Sequence, residues 1–131
     1  MPKLSVWTIR IALIHLVAGW LVGAVLMINR AWGLSSALWQ WVEVHIALAL
    51  FGWTFLLVVG VAYRMLPTFG RDQGRQKAAV SSVVAINTGV LAVIIGVFAP
   101  GPWSLIAAGL WAVGALWFGW HAWPRVKAFG T

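Results

Sequence analysis

ALWQWVEVHIALALFGWTFLLVVGVAYRM, residues 37–65, decides the fold. Apart from Tyr63, its ionisable residues are Glu43, His45 and Arg64, and nearly everything between them is apolar. An α-helix rises about 1.5 Å per residue, so roughly 20 apolar residues cross the ~30 Å hydrocarbon core of a bilayer. Three more runs meet that length, at about residues 8–29, 78–99 and 103–123. They are too long for ordinary strands and lack the ten-residue alternation of a membrane barrel. A chain segment in lipid must satisfy its own backbone hydrogen bonds, so each run is expected to be a helix.

Composition agrees. The 131 residues are 63% hydrophobic and only 8% charged, against about 25% charged in a soluble domain. Mean hydropathy is +0.94. One transmembrane domain over residues 1–131 accounts for the whole chain, with no room for a soluble one. The N-terminal run is too long for a signal-peptide core and ends at Asn29 and Arg30 without a small-residue cleavage site, so it reads as a retained helix.

The connections NRAWGLSS, LPTFGRDQGRQK and APGPW are short, and Pro67 and Gly70 mark a stop after the second helix. Short links make successive helices antiparallel neighbours. The expected fold is therefore all-α, an integral membrane four-helix up-down-up-down bundle. Basic residues orient it: Lys3, Arg10, Arg64, Arg71, Arg75, Lys77, Arg125 and Lys127 fall on one side and only Arg30 on the other. By the positive-inside rule both termini are cytoplasmic, in a bacterial-type inner membrane. The net charge of +7 thus reads as topology and contact with anionic lipid headgroups, not as a nucleic-acid surface.

With no cysteine, thiolate metal sites, iron–sulfur clusters and covalent haem attachment are excluded. Of the eleven tryptophans, Trp7, Trp32, Trp39, Trp41, Trp103 and Trp123 fall near helix ends, where indoles favour the interface. Trp20, Trp53, Trp111, Trp117 and Trp120 fall deeper, as lipid-facing bulk, packing, or walls around a flat cofactor.

Ionisable residues inside a membrane span are functional candidates because their burial is costly. Here they are His15, Glu43, His45 and His121, with Asn87 and Thr88 as added polar groups on the third helix. Counted from Arg10 and Arg125, His15 and His121 lie roughly 7 and 6 Å inside the cytoplasmic boundary, at a common level, whereas His45 lies toward the outer side. Each histidine shares a stripe with glycine: His15 with Gly19 and Gly23, His45 with Gly52, His121 with Gly114. Such glycines serve close helix packing, or clear space for a macrocycle beside its axial ligand. Two histidines on facing helices can clamp one b-type haem. His45, His15 and His121 are the candidate iron ligands, with Gly52 and Gly19 as haem-facing glycines. Glu43 lies about 200° around the helix from His45, so the two share no face; it is expected to be solvated or paired with Arg30.

The stretch from His45 through Gly52, Trp53, Gly60, Tyr63 and Arg64 to Pro67 resembles a helix of haem–copper oxidase subunit I, nitric oxide reductase and NnrS-like haem proteins. IALIHLVAGWLVGAVL in the first helix and Asn87-Thr88-Gly89 in the third are similar more loosely. Glu43 stands where that group has the first histidine of a His-x-His pair. The resemblance implies a haem b helical bundle serving electron transport, with His45 as ligand. The chain lacks the further helices and histidines of a haem–copper centre, so it is not expected to be catalytic alone.

Three functions are in play. The first is a small b-type haem-binding protein or subunit in or beside a respiratory or nitrogen-oxide-reducing complex. The second is a cofactor-free structural or assembly subunit. The third is a small proton-coupled transporter with Glu43 as its carboxylate. The expected partners are the lipid bilayer and either a second copy of the chain or a larger membrane complex.

Overall fold

The computed structural model describes the backbone of residues 3–65 and 73–129 and the side chains of residues 3–63 and 77–123. The described residues are helical apart from short turns, with no strand. Helix α1 is Lys3–Trp32. Helix α2 is composite: a 3-10 turn at Ser36–Trp41, α-helix at Val42–Ala47, π-helix at Leu48–Phe55 and α-helix at Leu56–Met65. Helices α3 and α4 are Gln73–Phe98 and Trp103–Phe129. All four are long and apolar enough to cross a membrane. Pro67 and Gly70, the expected stop, lie outside the described residues.

The helices overrun their apolar runs at the polar ends. Helix α1 begins at Lys3 rather than near residue 8, and α4 continues to Phe129 rather than ending near residue 123. Backbone hydrogen bonding carries a helix past the point where its side chains turn polar.

The link from α1 to α2 is a capped turn. Gly33 has φ +60°, in the left-handed region that favours glycine. Its N–H donates to the Asn29 carbonyl at 2.7 Å. The Asn29 side-chain oxygen accepts from Ser35 N–H at 2.9 Å, and the Ser35 hydroxyl accepts from Ala37 N–H at 3.2 Å. These bonds satisfy groups that the end of one helix and the start of the next would leave bare.

Contacts between α1 and α2 ascend along one helix as they descend along the other. Ser5 Oγ donates to the Gly60 carbonyl at 2.6 Å, Gly52 faces His15, Gly19 faces Leu48 and Gly23 faces His45. Helices α3 and α4 pair likewise, with Gly114 against Ile86, Gly89 beneath the Trp111 indole and Gly96 against Trp103. Trp111 Nε1 donates to the Ile86 carbonyl at 3.2 Å. Small residues bring backbones close where helix association in lipid depends on packing.

The two pairs meet along α2. Phe51 stacks on Trp111 with ring centres 3.9 Å apart, Phe55 and Tyr63 meet Phe118 edge to face, and Trp41 meets Phe98. Leu56, Val59, Ile86 and Ala12 are fully enclosed in one core cluster; Val44, Ala47, Val90 and Ala107 form a second. The outer surface is apolar, with Trp20, Leu105, Leu116 and Trp120 exposed. On a water-soluble protein so large an apolar surface would drive association; here it is compatible with contact with lipid. The apolar window of α1 is only 17% buried in the bundle, against 39% for α2 and α3. Most of α1 thus faces outward.

Candidate functional site

The two histidines of the first helix pair are seated in opposite directions. The His15 ring from α1 lies on Gly52 of α2: a Cβ added at Gly52 would stand 2.6 Å from His15 Cγ. The His45 ring from α2 lies on Gly23 of α1, where an added Cβ would stand 2.8 Å from its Cε1. The expected stripes are real, since His15, Gly19 and Gly23 face α2 while His45 and Gly52 face α1. The clearance at Gly52, however, holds His15. Gly19 is covered by Leu48, whose Cβ is 3.3 Å from the position a Cβ at Gly19 would take. On α4 the stripe divides: Gly114 packs on Ile86 of α3, and His121 meets Tyr63 of α2.

Hydrogen bonds set the tautomers. The Val83 carbonyl accepts from Asn87 Nδ2 at 3.1 Å, which leaves Asn87 Oδ1 facing His15 Nε2 at 2.9 Å. An amide oxygen only accepts, so His15 carries its proton on Nε2. His45 does the reverse, donating from Nδ1 to the Gly19 carbonyl at 2.9 Å, which leaves Nε2 unprotonated in the neutral ring. His121 Nδ1 donates to the Trp117 carbonyl at 2.7 Å, and its Nε2 lies 3.5 Å from the Tyr63 hydroxyl, within a buried aromatic group that includes Phe118.

The three histidines occupy three levels. His45 is level with Gly23, eight residues along α1 from His15, or about 12 Å. His121 is level with Tyr63, eleven residues along α2 from the Gly52 level of His15, or about 16 Å. The shared depth expected for His15 and His121 does not occur. Arg10 lies along α1 with its guanidinium 5.4 Å from the Trp7 ring centre. Metal–imidazole bonds are about 2 Å long, so no two of these rings share an iron within one chain. Among the described residues, no three His, Asp or Glu side chains gather as a metal-binding group.

The donor set therefore fits a haem in one way. His45 offers a bare Nε2 while its Nδ1 proton is held by a backbone carbonyl, the second-shell arrangement usual for a ligating histidine.

A different polar site lies at the Glu43 end of the bundle. The Ser104 hydroxyl donates to Glu43 Oε2 at 2.9 Å, tying α4 to α2. Of the two expected settings for Glu43, the structure shows the exposed one, with Ser104 rather than Arg30 as its described partner. Glu43, Gln40, Ser104, Trp39 and Trp103 are among the residues that line a pocket of about 290 Å³. Trp103 Nε1 is buried beside it without a hydrogen-bond partner. A Cβ added at Gly101, where φ is +153°, would stand 2.8 Å from that nitrogen. Glu43 faces α4 and His45 faces α1, as their offset around the helix implies, whereas local sequence carries no signal for the contact with Ser104.

No protein-family model, curated protein or solved structure matches this chain.

Proposed function

We propose that the chain is a small subunit of an inner-membrane electron-transfer complex that offers one axial histidine to a b-type haem. In this reading the four helices run up-down-up-down with both termini cytoplasmic, the orientation favoured by the eight-to-one division of basic residues. One observation carries the proposal: His45 donates Nδ1–H to the Gly19 carbonyl and makes no hydrogen bond through Nε2 among the described residues. Gly23 lets the ring lie against α1, and Gly19 fixes its tautomer. Haem bound there would supply one-electron exchange, with His45 holding it and any second ligand supplied by a neighbouring subunit or a second copy of the chain. The resemblance of the His45–Pro67 segment to oxidase and nitric oxide reductase helices points the same way.

The test is an oxidised and a reduced absorption spectrum of the protein purified in mild detergent together with its native membrane partners after expression with ample haem. A Soret band with sharp reduced α and β bands is expected, lost in His45→Ala and retained in His15→Ala and His121→Ala. A spectrum without a Soret band, or one unchanged in His45→Ala, overturns the reading.

The second reading, a cofactor-free assembly subunit, is favoured by the filling of the Gly52 clearance by His15 and by the outward-facing apolar surface of α1. It predicts no haem in any variant, and recovery of the chain with a larger membrane complex.

A further inference from the structure

We infer that the pocket around Glu43 binds a small organic ammonium group, independently of any haem at His45. Glu43 carries one of only two acidic side chains in the protein. No described Lys or Arg balances it; its partner is the neutral Ser104 hydroxyl. The carboxylate lines a mostly polar pocket of about 290 Å³ to which Trp39, Trp103 and Gln40 also contribute.

The lining selects the ligand. An unbalanced carboxylate rejects anions. One carboxylate and one hydroxyl are too few oxygens for calcium, which takes six to eight, and magnesium is demanding in its geometry. Indole faces attract cations, and carboxylate with aromatic walls is the chemistry that recognises ammonium groups. The volume lies at the small end of ligand pockets, which run from about 300 to 1,000 Å³, and suits a headgroup-sized cation. The Trp103 wall is held by close backbone approach. Gly96 receives Trp103 closely, with 3.1 Å from the position of an added Cβ to the Trp103 Cβ, and Gly101 approaches its Nε1. The ammonium can come from a soluble amine or from a phosphatidylethanolamine headgroup.

The experiment follows the indole N–H signals of the full chain, labelled with ¹⁵N-tryptophan, in maltoside micelles. Phosphocholine detergents are avoided because they present the ammonium themselves. Choline chloride is titrated against sodium chloride at equal ionic strength. A saturable shift of the Trp39 and Trp103 signals is expected, with affinity weakened about tenfold or more in Glu43→Gln, as befits loss of a charged partner. Trp39→Leu removes one wall and is expected to weaken binding while leaving the Trp111 signal in place, so it decides the matter should Glu43→Gln fail to fold.

The same spectra in nanodiscs distinguish the sources. If phosphatidylethanolamine discs move the signals to the bound position and choline adds nothing there, the ligand is the lipid headgroup. If phosphatidylethanolamine and phosphatidylglycerol discs give the same free spectrum and choline shifts both, it is a soluble amine. Absence of a saturable response to either probe, or equal affinity in Glu43→Gln and the native chain, overturns the inference.

Discussion

His15 rests on Gly52, and the contact is with the base of the imidazole: an added Cβ would lie 2.6 Å from Cγ and 2.8 Å from Cβ. Those atoms are the least able to move aside. Gly52→Ala is therefore expected to destabilise the bundle by about 1–3 kcal/mol through overpacking. Gly109→Ala, with no atom within 4 Å of the added group, is the control and is expected to be neutral or slightly stabilising. Thermal unfolding of both variants in one detergent measures the difference.

Asn87 is the partner that His15 needs. Asn87→Leu leaves the His15 Nε2 proton without an acceptor and is expected to cost about 1–3 kcal/mol. A double-mutant cycle with His15→Phe isolates the pair. Coupling of about 0.6 kcal/mol, the average for polar contacts between membrane helices, is the expected result.

Gly33 tests the turn rather than the packing. Nothing lies within 4 Å of its added Cβ, so Gly33→Ala meets only the left-handed backbone at φ +60°. A cost of about 1–2 kcal/mol is expected, with a smaller one for Gly33→Asn, since asparagine tolerates that region. Equal stability of all three chains by chemical denaturation would contradict this.

The absence of cysteine makes orientation testable by single-cysteine labelling. Ser35→Cys, in the first turn, is expected to react with an impermeant maleimide added outside intact cells. Lys3→Cys is expected to react only after the membrane is opened. The opposite pattern refutes the proposed orientation.

Where the chain turns apolar, sequence located the helices well: the run from residue 37 to 65 became a helix from Ser36 to Met65. Where helices continue into polar ends, hydropathy carries no mark, so the start of α1 at Lys3 is not legible from its apolar run. The glycine stripes were legible because helical periodicity is local. Their occupants were not, because His15 on Gly52 and His45 on Gly23 depend on how two helices slide past each other. The π-helical segment Leu48–Phe55 had no sequence signal, although Thr54 Oγ1 bonding back five residues to the Ala49 carbonyl fits its wider turn. Ser104 meeting Glu43 across the fold was equally invisible to local pattern.

The opposed seating of His15 and His45 has a mechanical meaning. In hydrocarbon, an apolar side chain gains little from meeting another helix rather than lipid, so packing alone indexes sliding weakly. A slip of one turn, about 5.4 Å, would bring His15 onto Leu48 or Leu56 instead of Gly52. Movement toward Leu26 would in the same stroke drive His45 from Gly23 against Met27. His15 thus resists travel in both directions and His45 reinforces the block in one of them, so that the two imidazoles hold α1 and α2 in register.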